Sequence, residues 1–547
     1  MQCPSFAGLT GESKQIGCDL SGRNLFYYIC SMEYEDLVQD IFKRFPSVQK
    51  EGFKPGAYKP GLEGMIGFDE VLGNPSRGFR SIHVAGTNGK GSVANMLAAA
   101  LTAAGYKTGL YTSPHLVDFR ERARINGEMI PREYVQEFLE KWKPYFEAEN
   151  LSFFEITTGM AFRWFADQKV DIAVIEAGLG GRLDSTNLIT PELSIITSIG
   201  LDHCALLGNT LAEIAAEKAG IMKPGVPCVI GESNPATDPV FDAFSRRLAM
   251  TCPPKTPNRC SNWSKRQLEH QNGQIGAQTG QNANLSTKTT KSVLKSWQDG
   301  ELLVYADRVE PWLWDRHEEI LAAMDLQAPV QRKNLRTVLT ALDILLRSGS
   351  VNGGSSPVIR RLDRRIYVEE RIVYGIEHTA SLMHFHGRWE RLHDKPLVIA
   401  DIGHNAHALA SNFKALEAMN RPLIIVYGIM ADKDLDAIIP LMPKGARYIF
   451  VAPDTPRARG AEDIMRRVME EIPGTSPRMT EGGGQRMTEG GGQRMTEGGP
   501  RMTAAPSVRA GMEMAMREAN DDTVIYVGGS TFVVAEVLER FAGQAGE

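Results

Sequence analysis

SIHVAGTNGKGS, residues 81–92, joins an apolar strand candidate to a long helix candidate through a turn holding three glycines and one lysine. Gly86, Gly89 and Gly91 let backbone N–H groups approach an anion without a Cβ in the way, and Lys90 adds a point charge. The helix expected over 91–104 aims its N-terminal dipole at the same place. Thr87, Asn88, Gly89, Lys90, Gly91 and Ser92 therefore form a candidate phosphate cradle. The Walker spacing is not met, because Val84 stands where that pattern has its first glycine and Gly91 separates Lys90 from Ser92.

Around this turn, short apolar strands at 81–85, 108–112, 172–177 and 193–199 alternate with helices at 91–104, 133–148 and 211–219. Strands this apolar, separated by helices, predict a mostly parallel sheet covered on both faces. A second α/β series starts after Gly387, with strands at 397–402, 423–428, 448–451 and 524–527 and helices at 405–419, 435–442 and 461–472. The expectation is an α/β chain with a central domain over 32–386 and a smaller Rossmann-like domain over 387–547. Met32 opens an amphipathic helix candidate, MEYEDLVQDIFKRFP, and residues 1–31 read as an N-terminal extension. Three polar stretches read as surface insertions: about 251–298, 348–357, and a glycine-rich excursion at about 474–503. The last carries near-identical RMTEGGGQ copies starting at Arg478, Arg486 and Arg494. Such compositions bury too little apolar surface to offset the entropy of ordering.

A chain of 547 residues exceeds what one hydrophobic core serves, and 42% apolar residues are ordinary for a globular protein. The net charge of −5 provides no broad basic field for nucleic acid or anionic lipid, so small molecules are the expected partners. Seven cysteines without a CxxC pair argue against a disulfide scaffold or a zinc site and suit a reducing cytoplasm. No apolar run approaches bilayer length, and the patch at 25–30 is too short for a signal-peptide core.

Further segments carry candidate ligands. TSPHL, residues 112–116, ends a strand in a polar turn containing Ser113, and SFFE sets Ser152, Phe153, Phe154 and Glu155 ahead of an apolar helix. Glu155 could equally complement the helix dipole with no ligand at all. In IEAGLGGRLDSTN, residues 175–187, Glu176 ends a buried strand, and Leu183, Asp184 and Ser185 follow a glycine-rich turn. A carboxylate at the carboxyl end of a parallel strand, facing a phosphate loop, is placed to hold magnesium. GLDHCALLG puts Asp202 and His203 after the next strand, and Lys218 lies on the helix that follows. Alone, each of these residue types is most often a cap or a surface charge. Their convergence on one crevice is what points to a site.

In order along the chain, GTNGKGS, TSPHL, ERARING, SFFEITTGMAF, IEAGLGGRLDSTN, GLDHCALLG, AEKAGIMKPG, PVQRKNLRTVLTAL, HGRWE, DIGHN, YGIMADKD and YVGGSTFVVAEVL resemble the bifunctional dihydrofolate synthase/folylpolyglutamate synthase family of the Mur ligase superfamily. The resemblance implies a P-loop ATPase domain of the Mur ligase type followed by a Rossmann-like domain. It implies ATP as nucleotide, two magnesium ions on Ser113, Glu176 and His203, and catalytic roles for Lys90, His203 and Lys218, the last being carbamylated in family members. Asn334, Arg388 and Asp401 would join the cradle in binding ATP, and Ser152–Glu155 and 183–185 would line the pterin side. The partners implied are dihydropteroate or a reduced folate and L-glutamate, acted on by a monomer. One departure stands out: the family's DGAHNP reads DIGHNA here, with Ile402, Gly403 and Ala406 in place of its glycine, alanine and proline and with Asp401, His404 and Asn405 kept. A Mur-type ligase for another carboxylate, a P-loop switch, and a nucleotide or folate binder without catalysis share parts of the pattern.

Overall fold

The computed structural model describes residues 34–47, 61–251, 302–347, 364–471 and 501–544. The N-terminal extension 1–31, the polar stretch 252–298, the loop 348–357 and the repeats up to residue 500 lie outside them. The helix expected from Met32 is present as Tyr34–Arg44 (α1).

An eight-stranded sheet forms from β1 (Arg80–Ala85), β2 (Thr108–Tyr111), β3 (Ala123–Ile125), β4 (Glu128–Met129), β5 (Ile172–Glu176), β6 (Leu193–Ile196), β7 (Cys228–Ile230) and β8 (Leu303–Tyr305). Its order is β4-β3-β2-β5-β1-β6-β7-β8, parallel from β2 to β8, with β3 and β4 added antiparallel at one edge. The strands read as continuous apolar runs because both faces are covered. Ile82, Val84 and Val174 enter one core cluster while Ala173, Ile175 and Tyr111 enter the other, as the period of two requires.

The first cluster is built on the helix Lys90–Ala103 (α2), buried along almost its whole length. Ala94, Ala98, Ala99 and Ala100 keep its surface low, so the helices Gln331–Arg347 and Arg364–Glu377 pack directly on it. The second cluster gathers the aromatics of Phe153–Asp167 and its neighbours: Phe68 meets Phe138, Tyr145 and Phe146, and Phe79 meets Phe162 and Phe165.

A second, six-stranded sheet contains β9 (Glu390–Asp394), β10 (Leu397–Asp401), β11 (Leu423–Tyr427), β12 (Arg447–Phe450), β13 (Met502–Ala504) and β14 (Val524–Gly528). The order is β13-β12-β11-β14-β10-β9, with β9 alone antiparallel. It too is covered on both faces, Ile399, Ile425 and Tyr526 on one side and Val398, Val426 and Val527 on the other.

Two expectations are corrected. The helix expected over 435–442 is only a 3-10 turn, Ile439–Leu441, because Pro440 and Pro443 lack the N–H groups that an α-helix needs. The glycine-rich excursion ends earlier than 503: Met502 and Thr503 belong to β13, paired in parallel with Tyr448 and Ile449.

Gly375 tests the helix packing. A Cβ there would lie 2.5 Å from the Ala99 carbonyl oxygen and 2.8 Å from the Ala100 Cα. Helix propensity alone favours Gly→Ala by about 1 kcal/mol. The contact reverses the sign, and Gly375→Ala is expected to destabilise the fold by about 1–3 kcal/mol, read as a lower thermal midpoint; a higher midpoint would refute the close approach.

Candidate active site

Strand order, not sequence order, assembles the site. β2, β5, β1 and β6 are consecutive parallel neighbours, with Tyr111 level with Ile175, Val84 with Glu176, and Ala85 with Ile196. The segments that leave their carboxyl ends therefore stand in one row: 112–116 with Ser113, 177–187 after Glu176, the Gly86–Gly89 loop, and 197–203 with Asp202 and His203. A crevice along this edge is where open parallel sheets bind ligands.

The loop at 86–89 is pinned to the segment after β6. Thr87 N donates to the Ser198 carbonyl at 2.7 Å, and Thr197 Oγ1 and Ser198 Oγ donate to the Asn88 carbonyl at 2.6 and 3.1 Å. Gly200 N donates to Thr87 Oγ1 at 3.0 Å, and that hydroxyl donates back to the Gly200 carbonyl at 3.2 Å. Gly86 and Gly89 hold φ of +147° and +85°, and a Cβ would come 1.9 Å from Thr197 Oγ1 and 2.5 Å from Asn334 Oδ1 respectively. Both positions need glycine. Lys90 opens α2 and donates from Nζ to the Thr87 carbonyl at 3.3 Å. Ser92 is buried on the same turn, within 3.5 Å of Gln331 Nε2.

Glu176 is buried at the end of β5, and its Oε2 accepts the Ser113 N–H at 3.2 Å. Burial pushes its carboxyl above the usual range, while Lys90, the Ser113 N–H and Arg388 pull the other way. Lys218 is buried on the helix Leu211–Ala219, and its Nζ donates to the Gly86 carbonyl at 2.9 Å. Burial, helped by Lys90, pulls its ammonium down to about 7. His203 has a left-handed backbone, φ +55°, and burial, with Lys433 nearby, pulls it down to about 3, which keeps its imidazole neutral at pH 7.

The second sheet's residues close the other side of the crevice. Asn405 caps the helix Ala406–Ala418, and its Nδ2 reaches Asn88 Oδ1 at 3.0 Å and Asp202 Oδ2 at 3.2 Å. Asn88 Nδ2 lies 3.0 Å from His407 Nδ1. Lys433 Nζ donates to Asp202 Oδ1 at 2.7 Å. Burial raises the Asp202 carboxyl, but His404, His203 and Lys433 outweigh it and hold the group well below the usual carboxylate range. Arg388 lies over the Phe385 ring with an Nη 3.4 Å from where a Gly91 Cβ would stand, so it borders the cradle.

Several expected ligands are occupied by the fold. Asp401 accepts from Trp389 N, Gly403 N and Asn412 Nδ2, so its carboxylate braces the end of β10. Gly403, where the family pattern has alanine, stands where a Cβ would come 2.9 Å from Asp401 Oδ1. Glu155 is buried in a capping box, accepting from Ser152 N and Oγ at 2.7 and 2.8 Å. Phe153 packs between Phe42 and Phe119 under Arg122, whereas Phe154 faces Gly178, where a Cβ would lie 2.5 Å from its ring. Asp184 accepts from Leu179 N at 2.7 Å and from Thr186 N and Oγ1 at 3.0 and 2.5 Å, and so shapes the turn carrying Leu183 and Ser185. Asn334 donates to Gln331 Oε1 at 2.8 Å while its Oδ1 faces Gly89.

Residues that the sequence did not single out include Thr197, Ser198, His407 and Lys433. Lys433 sits in YGIMADKD, a segment visible as a motif whose geometry no spacing revealed.

Family models describe residues 84–247 as a Mur ligase middle domain and residues 387–531 as a Mur ligase, glutamate ligase domain. The folylpolyglutamate synthase of Lacticaseibacillus casei is 31% identical over 406 residues, 71% of this chain and 80% of that protein. A probable bifunctional folylpolyglutamate synthase/dihydropteroate synthase of Haloferax volcanii is 29% identical over 92% of this chain, which spans half the length of that relative. Among solved structures, the Mycobacterium tuberculosis folylpolyglutamate synthase complexed with ADP superposes with a TM-score of 0.65 at 22% identity, covering 93% of this chain and 98% of that one. Escherichia coli FolC in complex with DHPP and ADP does so at 0.61 and 23% identity, covering 90% and 96%.

The buried Lys218 has a pH signature. Its ammonium falls from an ordinary 10.5 to about 7 on folding, so between those values the unfolded chain binds more protons. Stability then rises with pH across that window, and the full penalty applies below it. In bicarbonate-free buffer, the stability of wild type minus that of Lys218→Met is expected to climb by up to about 1.4 kcal/mol per pH unit between about 7 and 10.5. Chemical denaturation at a series of pH values reads this, and a flat difference would contradict it.

Proposed function

The chain belongs to the folylpolyglutamate synthase/dihydrofolate synthase family of Mur ligases, and from that premise we propose that it is an ATP-dependent ligase joining L-glutamate to dihydropteroate and to the glutamate tail of reduced folates. The observation that carries the reading is the row of four adjacent parallel strand ends bearing Lys90, Ser113, Glu176 and His203, faced by Arg388 and Lys433 from the second sheet's side. Residues 32–386 act as the ATP-binding domain and 387–547 as the domain that brings glutamate to it.

A carboxylate does not couple to an amine in water until one of its oxygens becomes a good leaving group. Here the folate carboxylate attacks the γ-phosphorus of ATP and ADP leaves, giving an acyl phosphate. The glutamate amine attacks the acyl carbon, phosphate departs, and the amine gives up a proton. The Gly89–Ser92 turn supplies backbone N–H groups to the phosphates, Lys90 places its charge beside them, and Arg388 adds a second cation from across the crevice. Closure of the two domains excludes water, which would otherwise hydrolyse the acyl phosphate.

Magnesium fits the donors present. Among the described residues no group of three or more His, Cys, Asp or Glu forms an all-protein cage. Magnesium in such sites is held by one or two protein ligands, with phosphate oxygens and waters completing the octahedron. Ser113 and Glu176 would hold one ion and neutral His203 a second. When bound, these ions would neutralise charge developing between nucleotide and carboxylate. Lys218, whose ammonium burial brings down to about 7 inside the same row, is suited to capture carbon dioxide as a carbamate, which would turn a buried cation into an anion beside the metals.

The test uses Lys90→Ala. Glutamate-dependent ADP release with dihydropteroate or tetrahydrofolate is expected to fall by at least about 100-fold, with the circular dichroism spectrum unchanged. Retained turnover would refute the role of Lys90. Mass analysis of wild-type products with labelled glutamate separates the two folate steps, and ligation to UDP-sugar peptides without ligation to folates would reassign the acceptor.

A further inference from the structure

Asp202 lies between the pinned Gly200 and His203, on the first sheet's side of the crevice, yet the side chains that hold it come from the second. Lys433 Nζ donates to its Oδ1 at 2.7 Å, Asn405 Nδ2 to its Oδ2 at 3.2 Å, and His404 Nε2 stands 3.5 Å from the same oxygen. On its own side, Oδ1 also accepts the His203 N–H at 2.9 Å. Both ionic side chains are close to fully enclosed, 10% exposed for Asp202 and 11% for Lys433. An enclosed ion pair of this kind adds little net stability, because desolvation offsets most of the attraction, but removing one partner leaves the other charge uncompensated. Its best-attested use is to specify one arrangement over others.

The loop that carries Lys433 is braced for that task. Met430 and Ala458 form an isolated antiparallel bridge, Ala431 N donates to the Arg457 carbonyl, and Lys433 N donates to the Met430 carbonyl. Lys433 thus reaches across the crevice from a fixed base. Asn405 ties the same point to the phosphate loop, since its amide contacts both Asp202 and Asn88.

We infer that Lys433 and Asp202 form a closure latch, in which Lys433 is a positioning residue that registers the second domain on the segment carrying His203 and the Asn88 turn. Resting on the ligase reading above, the latch makes docking of the glutamate-bearing side the event that sets the placement of His203. Opening the crevice withdraws Lys433, Asn405 and His404 from Asp202 together. Phosphate binding by the Thr87–Lys90 turn does not need the latch, whereas transfer between two substrates held on opposite sides does, and a displacement of about 1 Å in such a site costs on the order of 100-fold.

The experiment compares full-length wild type, Lys433→Met, Lys433→Arg, Asp202→Asn and the Asp202→Asn/Lys433→Met double variant. Three quantities are measured: ATP-dependent glutamate incorporation into dihydropteroate or tetrahydrofolate, ATP affinity in the absence of folate, and the radius of gyration by small-angle scattering with ATP and magnesium present. Lys433→Met is expected to lower kcat by about tenfold or more while ATP affinity stays within about threefold, and to expand the particle. Lys433→Arg, which keeps the charge, is expected to stay within about threefold of wild type, and the double variant to be no worse than the worse single one, because the two residues act as one unit. The latch is overturned if Lys433→Met keeps its kcat, if Lys433→Arg is equally impaired, or if the two losses multiply. Should wild type ligate glutamate to neither acceptor, the ligase reading fails by itself, and scattering then decides the latch: an unchanged radius of gyration in Lys433→Met overturns it.

Discussion

The Gly86–Gly89 loop keeps its shape because its backbone is bonded to the segment that leaves the neighbouring strand. Thr87 and Asn88 exchange hydrogen bonds with Thr197, Ser198 and Gly200 at the carboxyl end of β6, and two glycines in left-handed backbone let the chains come that close. A turn rich in glycine would otherwise sample many conformations at little cost. Held against β6, its free N–H groups and the start of α2 keep one direction, which is what an anion site requires. The same bonds bring the Asp202–His203 segment beside the loop, so the cradle and the residues that follow β6 share one foundation.

Buried charge in the crevice is relieved in two ways, by a shift toward the neutral form or by pairing. Burial drives Glu176 upward and Lys218 and His203 downward, each toward its neutral form, while Asp202 goes the other way because Lys433 and the two histidines surround it. Lys90 acts on three of these groups, offsetting part of the rise at Glu176 and adding to the fall at Lys218 and His203. Lys218, brought down to about 7, has charged and neutral forms close in energy at neutral pH, so an anion or cation entering beside it would shift its protonation.

Much of this was legible in the chain. Period-two and period-3.6 patterns place the strands and helices they name to within a few residues, but the short strands at 123–125, 128–129, 228–230, 303–305 and 390–394 carry no such pattern. What failed was local and had local causes: prolines at 440 and 443 broke an expected helix, and a strand at 502–504 formed where composition suggested only a tail of glycine-rich repeats. Asp401, Asp184 and Glu155 are acidic residues in motifs, yet their oxygens serve turns and caps, and a motif cannot tell a carboxylate that binds from one that braces.

The sequence by itself determined the α/β alternation, the glycine-dependent turn and the family, because these depend on hydrophobic period, on backbone freedom and on an ordered set of short motifs. Only the tertiary structure decided that β2, β5, β1 and β6 lie side by side, that Lys218 is buried against the Gly86 carbonyl, and that Lys433 crosses from the second sheet to Asp202. Strand order, burial and pairing over 231 residues of separation are outcomes of packing the whole chain at once, and no local stretch of residues encodes them.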